Sequence, residues 1–212
     1  MSTGGDPDAS AMAAQICDQI RSVFSAQPSP YGSPLEVLVE EIAAAAGRGN
    51  RVFVRGLGRE ALMLRALCMR LDHLGVAAHP VEDATTPPAA PGDLLLVSAG
   101  SGGFSDYGRI CGVARAAGAR VVLLTAQPES GSEGRRCADR VALLPPQATS
   151  DEEAEGGDGE DKRLGSPRLK LPMKSLYEGA AFVLFEMVVS RLEVVLGCTP
   201  EKLRSRHRNL EQ

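Results

Sequence analysis

Apolar residues in this chain gather into short unbroken runs, and between the runs they recur every three or four positions. The runs are Arg51-Val52-Phe53-Val54, Val76 to Val81, Asp93-Leu94-Leu95-Leu96-Val97, Arg120 to Thr125, and Val141-Ala142-Leu143-Leu144. Each has the length of a strand and is too uniformly apolar to keep one face in water, as strands covered on both sides are. Helical spacing fills the intervals. One segment follows Gly56-Leu57-Gly58 and reaches Leu74, with Gly75 as its stop; another runs to Ala117; a short one carries Arg135 and Arg136. Strands alternating with helices predict a doubly wound α/β domain on a parallel sheet of five strands.

The flanks are helical too. Residues 11–26 place Ile16, Ile20 and Phe24 on one face. In Ser33-Pro34-Leu35-Glu36 the pattern predicts a helix start, with Ser33 as cap, Pro34 in the first turn and Glu36 completing a capping box. That helix runs to about Ala46 and ends at Gly47 or Gly49. A long helix is predicted from Ser175 to about Gly197, and Thr199-Pro200 starts a short terminal one, with Thr199 as cap.

Composition narrows the classes. Apolar residues are 43% of the chain but aromatics only 4%, so Ala, Val and Leu must fill the core. The formal net charge of −4, with scattered arginines, argues against nucleic acid as a partner. Five cysteines without CxxC or Cys/His spacing are expected to be reduced, mostly core thiols. No metal site is expected. Neither a basic n-region nor an apolar stretch of membrane-spanning length is present, so a cytoplasmic protein with no membrane contact is expected. Residues 1–10 read as a disordered tail. Residues 11–212 read as one domain, interrupted by an acidic, Gly-rich insertion at about 150–165.

Two Gly-rich turns carry the candidate chemistry. Gly56-Leu57-Gly58-Arg59-Glu60-Ala61 follows the first strand and Ala99-Gly100-Ser101-Gly102-Gly103 the third. In parallel α/β domains ligands sit at the carboxyl ends of the strands, where free N–H groups and helix dipoles favour a phosphate. The first turn also fits G-x-G-x-x-A, and Glu82 and Asp83 stand near where a ribose-binding acid belongs, so a dinucleotide reading stays open. The second turn weighs against it. Two anion-cradling turns suit one compact phosphorylated ligand better.

Several segments resemble the hexulose-phosphate isomerase branch of the sugar isomerase (SIS) family. They are Gly56-Leu57-Gly58-Arg59, Met69 to Gly75, Thr85-Thr86-Pro87 with Gly92-Asp93, Gly100-Ser101-Gly102, Leu124-Thr125, Pro172-Met173, Leu176-Tyr177-Glu178, and the ending Arg206 to Glu211. The resemblance implies a three-layer αβα sandwich of flavodoxin-like type, a homo-oligomer (tetramer or dimer) with sites shared between subunits, and no cofactor. It implies interconversion of a 3-keto hexose 6-phosphate and fructose 6-phosphate through a cis-enediol. Glu178 then matches the family's catalytic base. His207 matches its C-terminal His, which moves protons on oxygen or opens the sugar ring. Gly56, Gly58, Arg59, Ser98, Gly100, Ser101, Gly102 and Thr125 would bind the phosphorylated sugar. For Arg59, solvation is an equal alternative; His73 reads as structural, a cation near a helix C-terminus.

The chain departs from the family in the cradle. Glu60, Ala99 and Phe104 stand where the family has hydroxyl donors, and Ala61 replaces a glycine. Ser98 and Ser105 lie one residue away. A carboxylate at Glu60 is favourable at a helix N-terminus, the place a phosphate would occupy. Two readings follow: an isomerase with altered specificity, or a binding or regulatory module with weak catalysis. Retention of Glu178 and His207 favours the isomerase.

Overall fold

The computed structural model describes residues 8–25, 29–100, 105–129, 133–145 and 175–206. Two flanking helices open the chain, α1 (Ala9–Val23) and α2 (Pro34–Gly47). The alternating part is β1 (Val52–Arg55), α3 (Arg59–Leu74), β2 (Ala78–Pro80), β3 (Leu94–Ser98), α4 (Ser105–Ala116), β4 (Arg120–Thr125), α5 (Glu133–Cys137) and β5 (Arg140–Leu143). The long α6 (Ser175–Val195) and the short α7 (Pro200–Ser205) close it. All pairings are parallel and the order is β2-β1-β3-β4-β5, the doubly wound sheet the run pattern predicts.

The strands sort their side chains by parity. Val52, Val54, Leu94, Leu96, Val122 and Leu124 face the layer of α2, α3 and α6. Phe53, Leu95, Val97, Val121 and Leu123 face Tyr107 and Cys111 of α4. Both faces are thus buried, giving three layers. Full burial of each such side chain contributes roughly 1.5–3 kcal/mol. Helix α3 meets its layer through Leu64, Leu67, Cys68, Leu71 and Leu74, spaced as one helical stripe, and Gly75 ends it in the left-handed conformation. Helix α6 packs against α1, α2 and α3, and its first turn brings Tyr177 to the carboxyl end of the sheet.

Boundaries shift by a few residues at the ends. One cap differs in kind: Ser33 makes no side-chain cap bond, so the predicted capping box is not formed, and Pro34 alone marks that start. Thr199 does cap α7, accepting from the Lys202 N–H at 3.3 Å. All five cysteines are free. Burial pushes the Cys68 and Cys111 thiols up to about 12 and about 11, whereas Cys17 is exposed rather than a core thiol. Among the described residues no helix is long and apolar enough to cross a membrane. The acidic insertion at 150–165 lies outside the described residues.

Candidate functional site

The strand order fixes where a ligand can enter. After β1 the chain crosses to β2 on one side, and it then returns to β3 on the other. Helix α3 lies in one layer and α4 in the opposite one. The crevice between the carboxyl ends of β1 and β3 is therefore the topological switch point, where α/β sheets bind ligands. The turn after β1 and the turn after β3 face each other across it.

The first turn is built for close approach. Gly58 has φ +56 and ψ −129, a conformation that side-chain-bearing residues rarely adopt, and it sets the first turn of α3 over the crevice. A Cβ on Gly56 would lie 2.8 Å from the Ala61 nitrogen. The second turn carries Gly100, where a Cβ would fall 2.7 Å from the Tyr177 ring, so only glycine lets α6 close against this turn.

Glu60 joins the two turns. Its carboxylate accepts the Gly100 N–H, at 3.2 and 3.3 Å to its two oxygens, and the Ser98 hydroxyl at 2.5 Å. The Ser98 and Tyr177 oxygens are 3.3 Å apart, and the Tyr177 hydroxyl donates to the Leu124 carbonyl at 3.3 Å. Burial, followed by the nearby Glu60 charge, holds the Tyr177 hydroxyl well above the ordinary phenol range. It stays protonated and serves as a donor. Thr125, fully buried, donates to the Ala99 carbonyl at 2.7 Å and accepts the Gln127 N–H at 3.1 Å. Its hydroxyl braces the turn.

A second carboxylate stands beside the first. Glu178, on the first turn of α6, pairs with the Arg59 Nε at 2.8 Å; its side chain is 17% exposed and that of Arg59 46%. Burial raises the Glu178 carboxyl above its ordinary value; Arg59 lowers it and Glu60 raises it, leaving a net upward shift. A carboxylate held partly out of water, with a raised proton affinity, has the character of a general base. Among the described residues, no three His, Cys, Asp or Glu side chains come together as a metal-binding group.

The end of α7 is held elsewhere. The Arg206 guanidinium lies over Gly75 and donates to the His73 carbonyl at 3.3 Å. That is the opposite end of α3, a helix of 16 residues, from the end that carries Arg59. At 1.5 Å per residue the separation is about 24 Å.

Known proteins resemble this chain in sequence and fold. The chain is 38% identical over 162 residues to the 3-hexulose-6-phosphate isomerase of Mycobacterium gastri, spanning 76% of this chain and 74% of that relative. The chain belongs to the sugar isomerase (SIS) family, in its hexulose-phosphate isomerase branch. The 3-hexulose-6-phosphate isomerase of Bacillus subtilis is 33% identical over 162 residues, 76% of this chain and 80% of that relative. The fold is shared with a crystal structure from Methanococcus jannaschii, at a TM-score of 0.69 and 23% identity over 94% of this chain and 99% of that one. No family model matches the chain.

Within this family member, the structure brings Gly56, Gly58, Arg59, Ser98, Gly100, Thr125 and Glu178 to one crevice. Ser101, Gly102, Phe104 and His207 lie outside the described residues. Glu82 and Asp83, raised as ribose-binding acids, are paired with Arg55 and Arg65. Sequence reasoning gave Tyr177 no role. Its only signal was adjacency to Glu178, because its partners Ser98 and Leu124 are 79 and 53 positions away.

Proposed function

We propose that this chain is a sugar-phosphate isomerase that interconverts a 3-keto hexose 6-phosphate and fructose 6-phosphate. Its family membership supports the substrate class. The observation that carries the chemistry is Glu178, mostly out of water at the switch-point crevice with its proton affinity raised. In this reading the Glu178 carboxylate takes the proton from C2, beside the C3 carbonyl. The electrons move into a C2–C3 enediol as O3 takes up a proton; the same carboxyl then returns the carbon proton to C3 while O2 gives up its proton and the carbonyl re-forms at C2. No outside oxidant or reductant is needed, since one carbon is oxidised as its neighbour is reduced. Arg59 orients the carboxylate and, half exposed, stands at the mouth of the crevice where a sugar oxygen would arrive. The turns at Gly56, Gly58 and Gly100, with Ser98, form the phosphate end, the family motif adds Ser101 and Gly102 to it, and Thr125 braces the second turn at Ala99.

His207 enters the same reading from a second copy of the chain. Consecutive Cα atoms are about 3.8 Å apart, and Arg206 is anchored at the far end of α3 from Glu178. A homo-oligomer with shared sites meets that distance. The test is interconversion of fructose 6-phosphate and the 3-keto isomer by the purified chain, by Glu178→Gln and by His207→Asn. Both variants should lose activity, and an equimolar mixture refolded together should recover part of it. Full activity in Glu178→Gln would defeat the assignment of the base; no recovery in the mixture would defeat the shared site.

A further inference from the structure

The crevice already holds an anion of its own. Ser98, 1% exposed, and the buried Gly100 N–H are donors aimed at the switch-point crevice, and both end on Glu60. Tyr177 gives its proton to the Leu124 carbonyl, so the Ser98 proton is the one hydroxyl proton of this pair directed outward. A phosphate oxygen and a carboxylate oxygen ask for the same donors. Glu178, paired with Arg59, is a second carboxylate in the same crevice. A phosphate monoester brings about −1.5 to −2 more. Both anions cannot share two donors in a half-buried crevice.

We propose that Glu60 is the specificity-determining residue of this site, a resident anion on the Ser98 and Gly100 donors that must swing away before a ligand phosphate can bind there. The inference rests on the proposed isomerase reading for the identity of the ligand, but not for the competition itself. Affinity for phosphorylated ligands is set by the cost of moving Glu60. Anions too weak to displace it are refused, and substrates must bring enough further contacts from the sugar to make the displacement favourable.

Inorganic phosphate tests the competition without requiring catalysis. Its Kd is measured by calorimetry on the full chain, on Glu60→Ser and on Glu60→Gln, with fructose 6-phosphate in parallel. Glu60→Ser should tighten phosphate at least about tenfold, about 1.4 kcal/mol. Glu60→Gln, which removes the charge but leaves an acceptor, should fall between. KM for fructose 6-phosphate should drop in the same order. Unchanged or weaker phosphate binding in both variants overturns the proposal, as does a loss of kcat at constant KM, which would place Glu60 in the chemistry instead. If the wild type proves unable to isomerise any sugar phosphate, the proposed function fails while the phosphate comparison still decides the role of Glu60.

Discussion

The two ends of the sheet treat buried carboxylates in opposite ways. At the amino end Asp93 is 1% exposed and fully engaged. It accepts the Arg51 N–H at 2.9 Å, the Ala90 N–H at 2.8 Å and the Arg51 guanidinium at 2.8 Å. Burial works to raise its carboxyl, and these donors outweigh burial and hold it below the ordinary value. Glu41 likewise takes both arms of Arg120, at 2.7 and 2.8 Å, and Asp139 takes the Val121 N–H at 2.8 Å. At the carboxyl end burial, with the nearby Glu60 charge, shifts the Glu178 carboxyl upward despite its Arg59 partner. One end spends its donors on fixing where the strands begin. The other sets Glu178 beside a second carboxylate with its proton affinity raised, which chemistry uses and stability does not.

The largest way to break this contrast is Glu178→Gln. It should lower kcat by about 10²–10⁴, the usual contribution of a positioned general base, measured as fructose 6-phosphate turnover. Its effect on stability should have the opposite sign. A carboxyl raised in the folded state contributes stability that is complete below its unfolded value, near 4.5, and lost as pH rises through the folded value. The variant should therefore melt at or above the wild-type temperature at neutral pH, with the gap closing in acid. A variant that is inactive and also clearly less stable would show that Glu178 is structural.

Asp93→Ala comes next and should act on stability alone. Removing one partner of a buried, hydrogen-bonded pair costs about 3–5 kcal/mol, read from urea unfolding. For a carboxyl lowered in the folded state the sign is reversed: its stabilisation is complete above the ordinary 3.8 and lost as pH falls through the lower folded value. The gap between wild type and variant should stay constant from neutral pH to about that point and shrink below it. Gly100→Ala is smaller, about 1–3 kcal/mol, because the new methyl meets the Tyr177 ring and one of the two must shift. Here the ends can be told apart, since activity should suffer as well as melting temperature. The smallest change is Thr199→Ala, which removes the α7 cap. It should cost roughly 1 kcal/mol or less and leave phosphate binding unaltered.

Much of this architecture is readable along the chain. Runs such as Leu94-Leu95-Leu96-Val97, short and bounded by turn residues, read as strands covered on both faces, and the stripe Leu64, Leu67, Cys68, Leu71, Leu74 reads as one side of a helix. Gly58 and Gly75 mark the ends of α3 because backbone sterics are local. Glu178 stood out only through its motif, since nothing in helical periodicity separates a base from a surface glutamate. Ser33 was misleading for a related reason: a cap needs its side chain turned to the helix, which residue type alone does not ensure.

Tertiary structure decided the rest. Glu60 meets Gly100 across 40 positions because β1 is paired with β3, and that pairing is a choice among strand orders that each strand's own residues do not encode. Arg59 finds Glu178 because α6 lies beside α3 in one layer, and Arg206 lands on Gly75 because α7 folds back on the same helix. Local sequence sets periodicity, turns and burial, all of which depend on near neighbours. Which distant carboxylate takes which N–H depends on how whole elements stack, and this site consists of such pairings.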